Sequence, residues 1–204
     1  MELTCLILGY LFGCFLTADL VARLKTGKWA RDIGTKNPGM ANIGSLFGAK
    51  YAFVVLLGDI LKTLIPCLIA ASIFPGYDRI IFLWVGCGVT IGHNAPFWTK
   101  FKGGKGVTTT CSTLIIYDPF WGTVACLIGF LVVLLTKYLC FGAPAIPLSY
   151  LAISIITNAE FTVIVLVLFL SVMMVDRHGP PMWRALHGNE PRVDLIARFK
   201  AHRS

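Results

Sequence analysis

The segment FWGTVACLIGFLVVLLT, residues 120–136, contains no charged side chain. A helix needs roughly 20 apolar residues to cross the hydrocarbon core of a membrane. Six further apolar segments lie at about 3–22, 51–74, 80–97, 106–117, 139–157 and 161–175. The sequence therefore predicts an all-α integral membrane protein with about seven transmembrane helices, in one domain spanning residues 1–204. Segment 106–117 is short, so we expect it to be tilted or partly inserted.

The composition excludes an ordinary soluble domain. Of the 204 residues, 56% are hydrophobic and 14% are charged, whereas soluble domains carry about 25% charged residues. The net charge of +8 does not indicate nucleic-acid binding, because the basic residues lie in short loops between apolar segments and form no continuous basic face. Attraction to anionic membrane lipids or to a phosphorylated substrate fits this pattern better.

The distribution of basic residues predicts the orientation. With seven spans, 16 of the 18 lysines and arginines follow the first, third, fifth or seventh span, on one side of the membrane. The positive-inside rule then places the N-terminus outside, and the C-terminal tail from about residue 176 to 204 in the cytoplasm. The first segment lacks a basic leader and a small-residue cleavage site, so we interpret it as a retained span.

A glycine-rich turn interrupts the apolar pattern at Phe101-Lys102-Gly103-Gly104-Lys105-Gly106-Val107. Glycines allow close backbone approach to a ligand, and successive N–H groups beside lysine suit an anion. A helix that begins after the turn would direct its N-terminus to the same place. The alternative is a turn that only fixes topology. The spacing does not match a Walker A loop.

Two other polar loops share the predicted cytoplasmic side, and all three are expected to be partly re-entrant. Residues 32–42 include Asn37-Pro38-Gly39, which predicts a type II turn in either a plain interfacial loop or a binding loop. The third loop covers residues 177–190. His93, at the end of the third span, is either a structural hydrogen-bonding residue or a base.

Charges inside the spans suggest ion pairs. Asp59 and Lys62 stand three residues apart in the second span, which favours a structural ion pair. Asp19 lies either near the interface or within reach of Arg23, one turn later.

Several catalytic classes find no support. The sequence has no Gly-x-Ser-x-Gly elbow, no His-x4-Asp dyad and no His-Glu-x-x-His motif. Its seven cysteines include no Cys-x-x-Cys pair, so we predict no metal site and no cofactor.

The order and spacing of the motifs resemble a known family. They comprise Gly9-Tyr10-(x2)-Gly13; Asp32, Gly34 and Asn37-Pro38-Gly39-(x2)-Asn42; Asp59-(x2)-Lys62; Gly92-His93-(x2)-Pro96-Phe97 with Phe101 to Val107 and Thr109; and Arg177-His178, Arg184, Gly188 and Glu190. Together they resemble the bacterial acyl-phosphate:glycerol-3-phosphate acyltransferase (PlsY) family over nearly the whole chain.

The resemblance implies a seven-span enzyme of the bacterial plasma membrane. It would move a fatty acyl group from acyl-phosphate to the 1-hydroxyl of glycerol 3-phosphate, giving lysophosphatidate and phosphate without acyl-CoA, carrier protein or metal. The implied catalytic residues are His93, Lys105, His178 and Glu190. The implied substrate- and phosphate-binding residues are Thr35, Lys36, Asn37, Gly39, Asn42, Lys102, Gly103, Gly104, Gly106 and Arg177.

Some positions depart from the family pattern. Ser45 stands where the family has an arginine, Gly142 lies in a stretch that has lost its hydroxyl groups, and Pro181 ends a third motif that usually reads Arg-His-Arg-Glu-Asn. The alternatives are therefore an acyltransferase with a different phosphorylated acceptor, a catalytically weak paralogue that binds lipid or acyl-phosphate as a regulator or scaffold, and an anion or lipid transporter. The sequence does not fix an oligomeric state.

Overall fold

The computed structural model describes residues 1–193, and in that range the chain is helical and has no β-strand. The α-helices are α1 (Glu2–Gly13), α2 (Thr17–Thr26), α3 (Met40–Phe47), α4 (Ala49–Ile73), α5 (Ile80–Asn94), α6 (Val107–Tyr117), α7 (Pro119–Thr136), α8 (Leu139–Ile156) and α9 (Phe161–Leu186). Short 3₁₀ turns lie at Ala30–Asp32 and Phe97–Thr99. The all-α prediction is confirmed.

The predicted apolar segments correspond to these helices. Among residues 1–193, six stretches are long and apolar enough to cross a membrane, and the first of them combines α1 and α2. The remaining predicted span is the short helix α6. Its 11 residues extend about 16 Å at 1.5 Å per residue, against about 30 Å of hydrocarbon.

Helix α9 continues well beyond the predicted end at residue 175. Pro180 and Pro181 lie inside it, although proline removes a helical hydrogen bond. Met174, His178, Pro181 and Ala185 form a buried stripe at helical spacing, so packing supports the extension. The first part of the predicted tail is therefore helical, and residues 194–204 lie outside the described range.

The first predicted span is broken, because α1 ends at Gly13 and α2 begins at Thr17. Its first half packs against α5 through two pairs of glycines. A Cβ on Gly9 or Gly13 would overlap the backbone of α5, and a Cβ on Gly88 or Gly92 would overlap the backbone of α1. Glycines four residues apart allow helix backbones in a membrane to approach this closely.

The chain divides into two compact units, Met1–Tyr117 and the part from Asp118 onward. In the first unit, Cys5, Cys67 and Val85 belong to a buried apolar cluster. In the second, the Asp118 carboxylate caps α7 by accepting from the N–H groups of Phe120 and Trp121. The boundary between the predicted segments 106–117 and 120–136 is explained by that cap.

We predict that Gly88→Val disrupts the α1–α5 contact, because the new side chain meets the Leu6 carbonyl. Overpacking of this kind costs about 3 kcal/mol, which for a chain of this size lowers the melting temperature by roughly 10 °C. The measurement is thermal unfolding of the detergent-solubilised protein. Gly179→Ala is the control, because a Cβ there has no neighbour within 4 Å. Equal melting temperatures for Gly88→Val and the parent would contradict the prediction.

Candidate active site

The glycine-rich turn folds back over the C-terminal end of α5. The Gly103 N–H donates to the Asn94 carbonyl at 3.1 Å, and the Gly104 N–H donates to the His93 carbonyl at 2.9 Å. These bonds use the carbonyls that a helix end leaves unpaired. Lys105 lies in this turn and is partly exposed, whereas Lys102 is exposed. The turn therefore lies directly against His93.

The glycines of the turn are sterically required. A Cβ on Gly103 would overlap the His93 carbonyl, and a Cβ on Gly104 would overlap the His93 imidazole at its Nε2, Cδ2 and Cε1 atoms. Gly106 has φ +76°, a left-handed conformation that glycine adopts without strain. Helix α6 begins at the next residue, so its unpaired N–H groups lie at the end of the turn.

Asn94 is a polar residue of this region that the sequence analysis did not single out. Its side chain is completely buried, and neither amide atom has a hydrogen-bond partner among residues 1–193. The amide lies against Gly106, because a Cβ there would stand 2.7 Å from Asn94 Oδ1. Thr110 Oγ1 is also buried and unpartnered. Orphaned buried polar groups cost about 1–3 kcal/mol each, so they mark a place where a ligand gains by pairing with them.

Below the turn, His93 belongs to a buried charged cluster. Lys62 Nζ lies 2.8 Å from Asp59 Oδ1 and 2.6 Å from His93 Nδ1. All three side chains are at most 5% exposed. The predicted Asp59–Lys62 ion pair is confirmed. Its contact with His93 spans 31 residues of sequence and was not predicted.

The break between α1 and α2 completes this cluster. Lys62 Nζ also donates to the Phe15 carbonyl at 3.0 Å, and Trp98 Nε1 donates to the Cys14 carbonyl at 2.8 Å. Carbonyls freed by a helix break inside a membrane require such partners. The interruption of the first span thus supplies a hydrogen-bond acceptor, the Phe15 carbonyl, for the buried Lys62 side chain.

The loop before α3 is held by Asn42. This residue is fully buried, its Oδ1 accepts from the Thr35 N–H at 2.8 Å, and its Nδ2 donates to the carbonyls of Ala30 and Ile33. Thr35 and Lys36 are exposed. Asn42 therefore shapes the loop that presents them.

The predicted type II turn at Asn37-Pro38-Gly39 is wrong. The Gly39 N–H donates to the Asn37 carbonyl at 2.9 Å, which closes a three-residue γ-turn around Pro38. Gly39 has φ −149° and caps α3, whereas a type II turn requires positive φ at that position. The start of α3 thus imposes an extended conformation on the glycine.

Aromatic contacts join this loop to the 3₁₀ turn Phe97–Thr99, which precedes the glycine-rich turn. The rings of Trp29 and Trp98 lie 5.6 Å apart, and the Arg31 guanidinium stands over both. Arg31 also pairs with the buried Asp19 carboxylate. Asp19 therefore meets Arg31 and not Arg23, because the chain turns back after α2. Tryptophans flanking polar loops were the available signal for this contact.

The remaining predicted site residues belong to the second unit. His178 is buried and its Nδ1 lies 2.9 Å from the Met174 carbonyl, an acceptor only, so Nδ1 carries a proton. Glu190 pairs with Arg184 at 2.8 Å, and Arg177 is partly exposed. Gly142 fits closely beside α7, where a Cβ would stand 2.6 Å from the Gly129 carbonyl.

Comparisons with known proteins agree with this architecture. A family model described as "Glycerol-3-phosphate acyltransferase" matches residues 3–188. "Glycerol-3-phosphate acyltransferase 1" of Lactobacillus johnsonii is 34% identical over 202 residues, covering 98% of this chain and 96% of that protein. The "Glycerol-3-phosphate acyltransferase" of Aquifex aeolicus is 28% identical over 186 residues, covering 91% of this chain and 96% of that protein.

Two solved structures share the fold. The glycerol 3-phosphate form of PlsY, an integral membrane glycerol 3-phosphate acyltransferase, has a TM-score of 0.85 and 27% identity, covering 97% of this chain and 98% of that chain. The lysophosphatidic acid form has a TM-score of 0.83 and the same identity, with 96% of each chain covered. The fold is that of a multi-pass membrane protein. The chain belongs to the glycerol-3-phosphate acyltransferase family, which confirms the resemblance.

We predict that Asn42→Ala opens the loop before α3, because three backbone groups lose their partner. A loss of about 3 kcal/mol raises the open population roughly 100-fold. Limited trypsin digestion should therefore cleave after the exposed Lys36 at a correspondingly higher rate. Asn189→Ala, an exposed asparagine outside this loop, is the control. Unchanged cleavage in Asn42→Ala would show that the amide does not hold the loop.

Proposed function

We propose that this protein transfers a fatty acyl group from acyl-phosphate to the 1-hydroxyl of glycerol 3-phosphate, as a step of phospholipid synthesis. The acceptor hydroxyl oxygen forms a bond to the acyl carbon, the bond from that carbon to the phosphate oxygen breaks, and the hydroxyl proton leaves with phosphate. The observation that carries the proposal is the glycine-rich turn folded over the His93 end of α5, in a chain of this family.

The turn supplies the chemistry that a phosphate needs. Lys105 contributes a compact positive charge, the first N–H groups of α6 contribute donors, and the orphaned Asn94 amide contributes a further polar group beside Gly106. The N–H groups of Gly103 and Gly104 already donate to the carbonyls of Asn94 and His93, so these two glycines shape the turn and are not the anion donors expected from the sequence. We assign the phosphate of the acyl donor to this turn, with Lys102 at its exposed edge.

An apolar groove supports a fatty acyl substrate. It has a volume of about 510 Å³ and lies along α1 and α4, lined by Leu11, Phe12, Phe15, Gly58, Leu61, Lys62 and Ile65. Lys62 brings the groove to the cluster that contains His93. An acyl chain in this groove would therefore have its polar end near the glycine-rich turn.

The donor's own chemistry reduces what the protein must supply. An acyl-phosphate is a mixed anhydride, so its acyl group is already activated and no covalent enzyme intermediate is required. Positioning of the two substrates and stabilisation of the developing negative charge can then account for most of the rate. The absence of a nucleophile motif in the sequence agrees with this mechanism.

The acceptor is assigned to the loop before α3. Thr35, Lys36 and Asn37 lie on the loop that Asn42 holds, and Gly39 starts α3 beneath them. Arg177 as a substrate-binding residue, and His178 and Glu190 as catalytic residues, stay predictions from the sequence. A different phosphorylated polyol is the alternative acceptor, because Ser45 replaces the arginine expected beside this loop.

We also propose that the N-terminus is outside and the C-terminus is cytoplasmic. Thr90 Oγ1 lies 3.2 Å from Thr109 Oγ1, and Gly86 packs against Thr113. Helix α6 is therefore antiparallel to α5 and returns toward the side where α5 begins. If α6 counts as a crossing, the number of crossings is odd and the positive-inside rule gives this orientation.

The orientation predicts the behaviour of a fusion protein. A fluorescent protein that matures only in the cytoplasm, attached after Ser204, should fluoresce in membrane fractions. The same reporter attached before Met1 is the matched control and should remain dark. The reverse result, with both fusions inserted in the membrane, would contradict the orientation.

We predict that Lys105→Ala lowers acyl transfer by roughly 100-fold or more, the usual cost of removing one group that stabilises transition-state charge. The assay supplies purified protein with acyl-phosphate and glycerol 3-phosphate and follows acceptor-dependent phosphate release. Lys50→Ala, an exposed helical lysine, is the control and should retain the parent rate. A near-normal rate in Lys105→Ala would contradict the phosphate assignment. If the parent is inactive with glycerol 3-phosphate, other phosphorylated polyols should be tested in parallel with an active relative.

We predict that Ser45→Arg lowers KM for glycerol 3-phosphate several-fold with a smaller effect on kcat. Ser45 is exposed on α3, one turn after Asn42, so an arginine there can reach a phosphate on the same loop and bind it through two hydrogen bonds. Ser45→Gln, which adds length without charge, is the control. An unchanged or higher KM in Ser45→Arg would place the acceptor phosphate elsewhere.

A further inference from the structure

The hydrogen bonds of Lys62 determine the proton position on His93. An ammonium group has three N–H donors and no acceptor. Lys62 Nζ has three neighbours at hydrogen-bond distance: Asp59 Oδ1 at 2.8 Å, the Phe15 carbonyl at 3.0 Å and His93 Nδ1 at 2.6 Å. The carboxylate and the carbonyl only accept, so each uses one donor. The third donor is directed at His93 Nδ1.

His93 Nδ1 must therefore accept. Lysine is by nature a much stronger base than imidazole. Burial disfavours a charge on Lys62, and the Asp59 carboxylate 2.8 Å from its Nζ works in the opposite direction, so we take Lys62 as the ammonium form. A proton on Nδ1 would place an N–H group against the ammonium group at 2.6 Å. In the remaining arrangement the ring is neutral and its proton is on Nε2.

The Nε2 side of the ring faces the glycine-rich turn. A Cβ on Gly104 would overlap Nε2 and the two carbons beside it, so the backbone of the turn lies directly against this edge. Asp59 does not bond the ring itself, since its Oδ1 stands 3.8 Å from His93 Nδ1. Its action on His93 passes through Lys62.

We propose that Asp59 and Lys62 hold His93 in its neutral Nε2–H tautomer, so that His93 acts at the glycine-rich turn as a hydrogen-bond donor and not as a base. Resting on the proposed acyl transfer, this makes Asp59 and Lys62 positioning residues. The Nε2–H group donates to an oxygen of the acyl-phosphate, where negative charge develops as the acceptor attacks. A base would require a bare Nε2, which the Lys62 contact prevents.

The tautomer can be observed without any activity. Protein labelled with ¹⁵N at histidine, in detergent micelles, is studied by two-bond ¹H–¹⁵N correlation spectroscopy, and His93→Gln assigns the His93 signals. We expect a protonated Nε2 and an unprotonated Nδ1. A protonated Nδ1, alone or together with Nε2, would overturn the proposal whether or not the protein transfers acyl groups.

Removing the Lys62 donor should alter this pattern. Lys62→Met alone leaves the buried Asp59 charge unpaired and risks unfolding, so the main variant is Asp59→Asn with Lys62→Met, which removes both charges. We expect His93 in this variant to show exchange between tautomers, with kcat lowered roughly 10- to 100-fold and KM for acyl-phosphate changed less. Lys62→Arg retains a cationic donor and should recover much of kcat. A double variant with the parent spectrum and the parent kcat would overturn the positioning role.

Two substitutions at His93 distinguish a donor from a base. The amide of glutamine can donate from near the Nε2 position but cannot act as a base, whereas phenylalanine retains only the ring. For a donor we expect His93→Gln to keep kcat within about tenfold of the parent and His93→Phe to lose roughly 100- to 1,000-fold. Equal, large losses in two folded variants would contradict the donor role. If the parent transfers no acyl group to any acceptor, a long-chain acyl phosphonate serves as the probe. We expect its addition to shift the Nε2–H signal of His93. An unchanged signal would overturn the proposed contact between Nε2–H and the acyl-phosphate.

Discussion

The close contact between α1 and α5 positions the rest of the first unit. Gly9 and Gly13 lie against the backbone of α5, and Gly88 and Gly92 lie against the backbone of α1, at distances that exclude any side chain. The two backbones are therefore held in a fixed register. His93 follows Gly92 directly, and the break of the first span follows Gly13. The same contact therefore brings the freed carbonyls of the broken helix to the level of the imidazole. A single steric constraint in the membrane thus arranges groups that are distant in sequence.

The broken helix and the buried lysine depend on each other. An unpaired carbonyl inside a membrane is unfavourable, and so is a buried ammonium group with incomplete hydrogen bonding. Phe15 and Lys62 satisfy one another at 3.0 Å, with Asp59 neutralising the charge. An unbroken first helix would leave Lys62 with one acceptor fewer. The interruption is accordingly part of the site, although it contacts no substrate in the proposed mechanism.

Much of the fold could be predicted from the sequence, because hydropathy alone determines where most membrane helices lie. The boundaries of α4 to α8 follow from the length of each apolar segment and from helix-capping and helix-breaking residues such as Asp118 and Pro119. Two features could not be predicted in this way. The break at residues 14–16 lies within continuous apolar sequence and arises from tertiary packing. The extension of α9 past Pro180 depends on a stripe of buried residues. Polar residues lie between the members of this stripe, so hydropathy along the sequence does not reveal it.

The candidate site was predicted residue by residue but not as an arrangement. Motif spacing identified the glycine-rich turn, His93 and the Asp59–Lys62 pair, whereas Asn94 has no spacing that distinguishes it. His93 and His178 show why the chemistry required the structure. Both are buried histidines at or near the end of a long apolar segment, and from sequence each was a candidate for the same roles. The Nδ1 atom of the first lies 2.6 Å from Lys62 Nζ, whereas the Nδ1–H group of the second donates to a carbonyl. In the tautomer proposed for His93, the two Nδ1 atoms therefore have opposite character, an acceptor in one ring and a donor in the other, and that difference depends on partners 31 and four residues away in the chain.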